Sequence, residues 1–345
     1  LNDQVSCTNS YLPFFVMIRT DYNKDDSGGY QPNGLIESSP FFAWPPRPSK
    51  AVKHLFNCPG YLLPWYPMYV TIALITWFVL TPDLADMQSF EFRWITTIYF
   101  RNIGLLILIW GTWHFRFYVQ RAQGTRYKYD KSWPRKHRRF LFGDQTKDNI
   151  FWSIVSGCSI WTAYEVVTYW MFANGYIPFL EFRQHPLFFV FLLLLIPLIH
   201  DTHFYFGHRL LHWKPLYKLV HYIHHKNINV GPWSGLSMHP IEHVIYFSGV
   251  LLYWIIPIHP LHGLLYMQYV ALAPAHSHVG FDKMIVGKKL QIPNTGDYFH
   301  YLHHRYFECN YGGGAVPLDS WFGTFHDSSN ESHHAMRVKR RHLHG

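Results

Sequence analysis

Long apolar runs alternate with very polar segments along this chain of 345 residues. Four apolar runs extend over about 61–80, 94–113, 150–172 and 186–199. A helix that crosses a bilayer needs about 20 mainly apolar residues, so the first three runs are long enough and the fourth is shorter. Aromatic side chains crowd the ends of the runs, where membrane interfaces favour amphipathic rings. The pattern predicts about four transmembrane helices.

A further apolar segment, at about 244–275, is divided by Pro257-Ile-His-Pro260. Because proline removes an amide donor and interrupts a helix, we expect a membrane-inserted helical hairpin here. Residues 1–60 read instead as a loop-like N-terminal arm, in which Trp44-Pro-Pro-Arg-Pro48 should block a helix. The chain begins at Leu1, so we expect a short N-terminal piece to have been trimmed, and we see no signal peptide.

The polar loops predict the orientation of the runs. The loop at 114–149 is dense in Lys and Arg, so the positive-inside rule places it in the cytoplasm. The loop at 81–92 is acidic and the one at 174–185 carries a single Arg, so both fit the opposite side. If each apolar run crosses the membrane once, the chain returns to the cytoplasm at His200. After the hairpin it returns there again at His276. Two distant polar segments are therefore predicted to meet on one face of the membrane.

Composition and charge support a membrane protein. Aromatic residues make up 19% of the chain and charged residues 15%, which deviates towards lipid-embedded proteins. We attribute the formal net charge of +9 to cytoplasmic loops near anionic lipid. We expect no nucleic-acid partner, since no basic helix with interleaved stacking aromatics occurs outside the apolar context. The four cysteines are scattered without a C-x-x-C pair, which predicts neither a disulfide framework nor a zinc finger.

Histidines recur in three boxes in the second half of the chain. The boxes are His208-Arg-Leu-Leu-His212, His221-Tyr-Ile-His224-His225 and His300-Tyr-Leu-His303-His304. Positions three and four apart lie on one face of a helix, so each box can direct two or three imidazoles towards one point. Imidazole nitrogen is a common ligand of iron, zinc and copper. The spacing predicts a polyhistidine metal site.

With these boxes placed, the region from about Phe189 to Asp327 resembles the fatty acid hydroxylase and sterol desaturase superfamily of membrane oxygenases. The order, spacing and flanking residues of the boxes match, including the basic residue after the first histidine. Residues 231–242 resemble the family's His-Pro-x-Glu step, and 278–282 resemble its H-S-G-Y/F motif with Val279 in place of a small polar residue. The sequence after the last box is most similar to the sterol desaturase branch.

This resemblance implies a non-haem diiron centre, molecular oxygen as oxidant, and electrons from a reductase or a cytochrome b5-like donor. The ligands that it implies are His208, His212, His221, His224, His225, His239, His278, His300, His303 and His304. Spare candidates are His203, His243 and His276, and an exchange of His239 for His243 stays open because they lie one turn apart. Nearby carboxylates that could orient the rings are Asp201, Glu242, Asp282 and Asp297.

The other histidines and one buried acid have simpler interpretations. Histidines expected to be satisfied core residues in apolar stretches are His54, His114, His185, His259 and His262. Those expected in a solvated basic tail, with Lys339-Arg-Arg341, are His326, His333, His334, His342 and His344. Glu165 interrupts the third run and marks either a functional cavity or a structural hydrogen bond near a helix end.

Together these patterns predict an all-α integral membrane protein with about four transmembrane helices, a membrane-inserted hairpin and a cytosolic helical cap that carries the histidine boxes. Its regions would be an arm at 1–60, transmembrane helices at 61–199 with the basic loop, a catalytic region at 200–327 and a basic tail at 328–345. We expect an enzyme that uses O2 to desaturate or hydroxylate a sterol or related lipid taken from the bilayer. It would lie in the endoplasmic reticulum membrane of a eukaryote or the inner membrane of a bacterium. Zinc is expected as a purification substitute for iron.

Three alternatives remain. A fatty acyl or sphingolipid hydroxylase would use the same site. A membrane metal transporter should carry its ligands inside the spans near the bilayer midplane, whereas these boxes lie in predicted cytosolic segments. A membrane zinc hydrolase should carry an H-E-x-x-H arrangement, which this sequence lacks.

Overall fold

The structure, a computed structural model, describes residues 28–287 and 290–344, with side chains up to residue 339. This part of the chain is mostly helical. The main helices are α1 (Pro48–Phe56), α2 (Tyr66–Leu80), α3 (Phe92–Val119), α4 (Gln145–Ala173), α5 (Pro186–Leu211), α6 (214–225), α7 (Pro240–Phe247), α8 (Pro260–Leu272), α9 (Pro274–Ser277), α10 (Tyr298–Tyr306), α11 (Leu318–Trp321) and α12 (Asn330–His344). Short 3-10 turns lie at Pro40–Phe42, Leu84–Met87, Leu141–Gly143 and Pro232–Ser234. Strands β1 (Met284–Val286) and β2 (Leu290–Ile292) pair antiparallel, a local departure from an all-helical chain.

Three helices of the described chain are long and apolar enough to cross a membrane: α3, α4 and α5. They correspond to the second, third and fourth apolar runs. Helix α2 is apolar but shorter, because the first run begins with irregular backbone around Pro64 and becomes helical only at Tyr66. A mostly helical chain with three candidate spans is consistent with an all-α membrane protein.

Helix α5 is longer than the fourth apolar run. The run ends at about residue 199, but the helix continues to Leu211 across 26 residues. The continuation is amphipathic: Asp201 and His208 are buried, while Phe206 is exposed. In lipid, a helix can bury its polar face and expose its apolar face. Because the buried face after residue 199 carries polar residues, the apolar run in the sequence ends before the helix does. The first histidine box therefore lies at the end of a candidate span rather than in a separate cap.

The segment expected to form a membrane-inserted hairpin is compact. Helix α7 continues as a 3-10 segment at Ser248–Trp254, and α8 follows after a short connection. Helix α8 has 13 residues, about 20 Å of helix, which is shorter than a hydrocarbon core of about 30 Å. Nearly all of its side chains are buried, and it packs against α2, α3, α4 and α5. This arm of the expected hairpin is a core helix of the protein.

Proline does not block a helix in the described part of the arm. Pro48 instead occupies the first turn of α1. The amide that proline lacks would have had no partner at this position, and its fixed φ suits a first turn. The expectation of a loop throughout residues 1–60 is thus corrected for Pro48–Phe56, and residues 1–27 lie outside the described part.

Glu165 forms a buried ion pair between two candidate spans. Arg101 of α3 donates to Glu165 of α4, and the side-chain amide of Asn102 donates to the other carboxylate oxygen at 2.8 Å. Only 5% of the Arg101 side chain and 2% of the Glu165 side chain are exposed. Of the two interpretations of Glu165, this arrangement favours a structural role. An arginine in the neighbouring apolar run was the signal that could have predicted it.

We expect Glu165→Ala to lower the free energy of unfolding by about 3–5 kcal/mol, because it leaves the Arg101 guanidinium buried without a counter-charge. Thermal unfolding in detergent would measure the loss. The double variant Arg101→Met/Glu165→Met should recover most of the stability. Glu91→Ala, at an exposed position before α3, is the control and should change stability by less than about 0.5 kcal/mol. Equal melting of Glu165→Ala and Glu91→Ala would contradict the assignment.

Candidate metal centre

Three short helical segments carry the histidine boxes to one place. The first box lies at the end of α5, the second in α6 and the third in α10. Asp297 caps the start of helix α10, and its side chain accepts a hydrogen bond from the His300 amide at 3.2 Å. Phe307 follows the last helical residue and adopts a left-handed conformation with φ of 68°. The third box thus occupies a helix of nine residues with a defined start and stop.

Nine imidazoles form two groups. The first group contains His208, His212, His221, His225 and His303, and the second contains His224, His278, His300 and His304. Within each group, one nitrogen of every ring lies within 4.8 Å of the others. The adjacent residues of each H-x-x-H-H box separate, one ring going to each group, because successive side chains of a helix point about 100° apart. Both repeated boxes therefore serve both groups.

Backbone carbonyls fix the ring protons of two histidines. The Nδ1 atom of His208 lies 2.7 Å from the carbonyl oxygen of Tyr311, and that of His303 lies 2.7 Å from the carbonyl oxygen of Cys309. A carbonyl oxygen accepts but never donates, so Nδ1 carries the proton in each ring. The Nε2 atom of each ring then presents a lone pair to the centre of the group.

The Nε2 atoms of each group converge closely. His208 and His221 approach to 3.1 Å through their Nε2 atoms, and so do His225 and His303. Corresponding distances in the second group are 3.1–3.2 Å. His208 and His303 in the first group, and His278 in the second, each place Nδ1 against a backbone carbonyl and so have no proton to donate from Nε2. Each group therefore turns at least one lone pair towards its centre, where a cation would be coordinated, and the donor sets fit two metal ions.

Burial keeps these rings neutral. Loss of hydration, reinforced by neighbouring histidines, holds the pKa of His225, His303 and His304 well below the ordinary value for histidine. A neutral imidazole keeps a nitrogen lone pair for a metal, so burial favours the ligating form of these rings.

Glu242 is the carboxylate that contacts a boxed ring. Its Oε1 atom lies 2.7 Å from Nδ1 of His221, and both side chains are buried. Such a carboxylate fixes the ring orientation and raises the basicity of the other nitrogen. The other expected carboxylates support backbone or tyrosines: Asp201 accepts from the amides of 313 and 316, Asp282 from two tyrosine hydroxyls, and Asp297 from the start of α10.

His239 lies outside both groups, although the expected ligand set included it. Its Nδ1 atom accepts a hydrogen bond from the Ile241 amide at 3.2 Å and caps helix α7. The following proline predicts this position, because proline favours the first turn of a helix and the residue before it then serves as the cap. The His-Pro step alone was therefore a signal for a cap rather than a ligand.

The three spare candidates also lie outside the groups. His203 contacts the Ser248 hydroxyl at 3.0 Å, His243 contacts the Ser156 hydroxyl at 2.9 Å, and His276 contacts the Tyr69 hydroxyl at 3.0 Å. Each joins two elements of the fold. His262, expected as a core residue, is buried and contacts a backbone carbonyl at 2.9 Å.

Two tail histidines are buried rather than solvated. His326 and His333 pack with their ring centroids 4.7 Å apart, and the Tyr306 hydroxyl lies 3.0 Å from Nδ1 of His333. The expectation of a solvated tail failed here because the segment before and within the first turn of α12 packs on α10. His334 is exposed as expected, and the side chains of His342 and His344 lie outside the described part.

Two spaces adjoin the histidine groups. A cavity of 180 Å³ is lined by His224, His278 and His300 of the second group. An apolar groove of 620 Å³ runs along α5 on the surface of the protein, and it shares His203 and Gly207 with a narrow space beside His208. The second histidine group therefore adjoins a cavity, and the first lies near an apolar surface groove.

Residues 191–324, which contain every member of both groups, match the family model described as fatty acid hydroxylase. The family resemblance of this region is confirmed. The chain is 32% identical over 149 residues to a Delta(7)-sterol 5(6)-desaturase of Gibberella zeae, covering 42% of this chain and 46% of that protein. It is also 32% identical over 132 residues to a Delta(7)-sterol-C5(6)-desaturase of Nicotiana tabacum, covering 37% of this chain and 46% of the relative.

A Delta(7)-sterol 5(6)-desaturase of Saccharomyces cerevisiae is 29% identical over 126 residues, which is 36% of this chain and 33% of the yeast protein. The chain thus spans about half the length, or less, of these curated relatives. No solved structure matches the chain. The relatives agree with the sterol desaturase branch indicated by the sequence after the last box.

We expect His303→Ala to lose most of its bound metal, because it removes a buried ligand that Cys309 orients. Glu242→Gln should weaken metal binding by about 10- to 100-fold, as is typical for the partner of a ligating histidine. His239→Ala is the matched control and should retain full metal content. Elemental analysis and competition with a chelator would measure these effects. Equal metal loss from His239→Ala and His303→Ala would refute the grouping.

Proposed function

We propose that this protein is a membrane-bound oxidoreductase that uses O2 to desaturate or hydroxylate a sterol or related lipid at a non-haem diiron centre. The observation that carries the proposal is the pair of buried imidazole groups with converging Nε2 lone pairs, within a region that matches the fatty acid hydroxylase family. The names of the relatives, all sterol 5(6)-desaturases, favour a sterol over other lipids.

We propose the nine grouped histidines as the ligands, five for one iron and four for the other. When bound, the two irons would supply the redox chemistry with which molecular oxygen attacks an unactivated C–H bond, which zinc cannot supply. Zinc stands above iron in the divalent affinity series, so it is expected to replace iron during purification. The group of four histidines adjoins the 180 Å³ cavity, which offers space for a substrate.

The chain itself orients the ligands and excludes water. Carbonyls of Tyr311 and Cys309 hold the protons of His208 and His303 on Nδ1, and Glu242 does the same for His221. Eight of the nine rings are buried and His212 is half-buried, so bulk water has little access to the site. Such preorganisation keeps the donor atoms in place whether or not substrate is bound.

The apolar groove supports entry of a lipid from the bilayer. Leu198, Phe206 and Leu252 line it on the outer surface of α5. Gly207 lines both the groove and the narrow space beside the histidines, and a side chain at this position would press against Ile245. An apolar substrate could therefore pass from the membrane to the metal centre without crossing water.

Contacts of the N-terminal arm support four crossings, with α2 as the first. The Tyr30 amide donates to the Lys128 carbonyl at 2.8 Å, and the Ile36 amide donates to the Asp327 carbonyl at 2.9 Å. The arm, the basic loop and the region after the third box therefore lie on one face. Since α3 would begin on the other face to reach that loop, we infer that α2, together with the apolar residues 61–65 before it, carries the chain across first. The positive-inside rule makes the shared face cytosolic.

A cytosolic metal centre fits the expected partners and location. Reductant is available there, so a cytochrome b5-like protein or a reductase would deliver electrons on that face. The membrane would be the endoplasmic reticulum in a eukaryote or the inner membrane in a bacterium. The groups lie at the ends of helices rather than at the middle of a span, which disfavours a metal transporter.

We expect the purified, iron-loaded protein to consume O2 with an electron source only when a sterol is present, with formation of an oxidised sterol seen by mass spectrometry. His303→Ala should abolish turnover, and His239→Ala should retain it. Oxidation of acyl lipids but not sterols would redirect the proposal to a fatty acyl hydroxylase. Metal flux into liposomes without any lipid oxidation would instead indicate a transporter.

We expect tags in the basic loop near Arg135 and after Asp327 to be labelled from the cytosolic side, and a tag near Asp86 from the opposite side. Because of the arm contacts, a tag at residue 36 should be labelled from the cytosolic side, like the tags near Arg135 and after Asp327. Labelling of membrane vesicles before and after permeabilisation would measure this. A tag at residue 36 that reports the same side as Asp86 would remove α2 as a crossing.

A further inference from the structure

The 180 Å³ cavity beside the second histidine group has a polar end. This end opens into a second cavity of 420 Å³ along the N-terminal arm. Tyr269, His276 and Asp297 line both cavities and so stand at their junction. A phenol, an imidazole and a carboxylate thus meet where the inner cavity begins.

The inner cavity also adjoins the narrow space at Gly207, which lies beside the groove. Phe204, Met238, Tyr246 and His224 line both spaces, so this end is mostly apolar and touches the second histidine group. The Tyr246 hydroxyl donates to the Val270 carbonyl at 2.9 Å, so its polar atom is engaged with backbone. An elongated molecule with one polar end would bind with that end towards the junction and its apolar body towards the groove.

The polar groups at the junction can both accept and donate hydrogen bonds. Asp297 accepts the His300 amide through one oxygen, and a carboxylate has about four acceptor positions. The Tyr69 hydroxyl lies 3.0 Å from Nδ1 of His276. When Tyr69 donates to that nitrogen, the ring proton of His276 stands on Nε2 and is available to a ligand oxygen. The junction therefore suits a ligand hydroxyl group, which can donate one hydrogen bond and accept others.

The junction lies close to the histidines. Asp297 precedes His300 by three residues at the start of α10, about 4.5 Å along a helix axis. His276 precedes His278 by two residues, at the end of α9. A polar group held at the junction is thus only about one helical turn from the second histidine group.

We propose that Tyr269, His276 and Asp297 bind the hydroxyl group of a hydroxylated sterol and thereby determine which ring carbons face the metal centre. The sterol hydroxyl donates to Asp297, and its oxygen accepts from His276 and Tyr269. This inference rests on the proposed function and adds the substrate's polar group and orientation.

The short separation favours a sterol over an acyl lipid. In a 3-hydroxysterol the hydroxyl and the 5(6) bond lie only a few bonds apart on fused rings. In an acyl lipid the polar head is many bonds away from a carbon in the middle of the chain. The junction lies only about one helical turn from the histidines, which suits the short separation in the sterol. An acyl lipid whose head group occupied the junction would place the middle of its chain far from the histidines.

The test compares a 3-hydroxy-Δ7-sterol with its 3-deoxy analogue, which lacks the hydroxyl without adding bulk. We expect the wild-type protein to prefer the hydroxylated sterol by about 10- to 100-fold in kcat/KM, the effect of a hydrogen bond to a charged group. Tyr269→Phe and Asp297→Asn should reduce the ratio of kcat/KM for the two sterols, mainly by lowering kcat/KM for the hydroxylated sterol. Asparagine caps a helix as well as aspartate does, so Asp297→Asn should keep α10 and the iron content unchanged.

Tyr246→Phe is the matched control at the apolar end and should leave the ratio unchanged, because both sterols present the same body to it. Equilibrium binding of both sterols to the iron-loaded protein, without an electron source, gives a second readout. Oxidation or binding of both sterols with equal preference would overturn this inference alone. If neither sterol is bound or oxidised, the proposed function fails as well.

Discussion

The convergence of nine imidazole rings on two points is the constraint on which the rest of the structure depends. Neighbouring Nε2 atoms lie 3.1–3.2 Å apart, a distance at which two lone pairs repel unless a cation stands between them. Three rings are held from behind, His208 and His303 by the carbonyls of Tyr311 and Cys309, and His221 by Glu242. The cost of assembling this arrangement must be met by the packing of α5, α6 and α10, and by metal binding, which stabilises only the folded site.

The surrounding fold positions these elements through contacts that span the sequence. The arm bonds to the basic loop through Tyr30 and Lys128, and to the segment after the third box through Ile36 and Asp327. Beneath them, α8 fills the space between the candidate spans, so the metal groups rest on a packed core. A buried lysine, Lys226, immediately follows the second box and pairs with Asp148 at the start of α4. The position of the second box is thereby tied to a membrane helix.

Much of this could be predicted from local pattern. The boxes identified eight of the nine grouped histidines because a 3- and 4-residue spacing fixes which side chains share a helix face, and the family resemblance added His278. The apolar runs located α3 and α4. What failed depended on tertiary context. His239 was predicted as a ligand, but in the fold it caps α7. His326 was predicted to be solvated, but it is buried where the start of α12 packs on α10. Arg101 lay unnoticed in an apolar run because hydropathy averages over a single charge.

The length of α5 links the site to the membrane in a simple way. Its 26 residues measure about 39 Å, while a bilayer hydrocarbon core is about 30 Å thick. His208 stands 22 positions after Pro186, or about 33 Å along the helix, so a helix that starts at one edge of the core would carry this ring just past the other edge. A bilayer that is thicker or thinner than the helix is long would change the tilt of α5. The depth of the histidine groups relative to the membrane would then change as well. Bilayer thickness would in this way set how far the histidine groups stand from the hydrocarbon core.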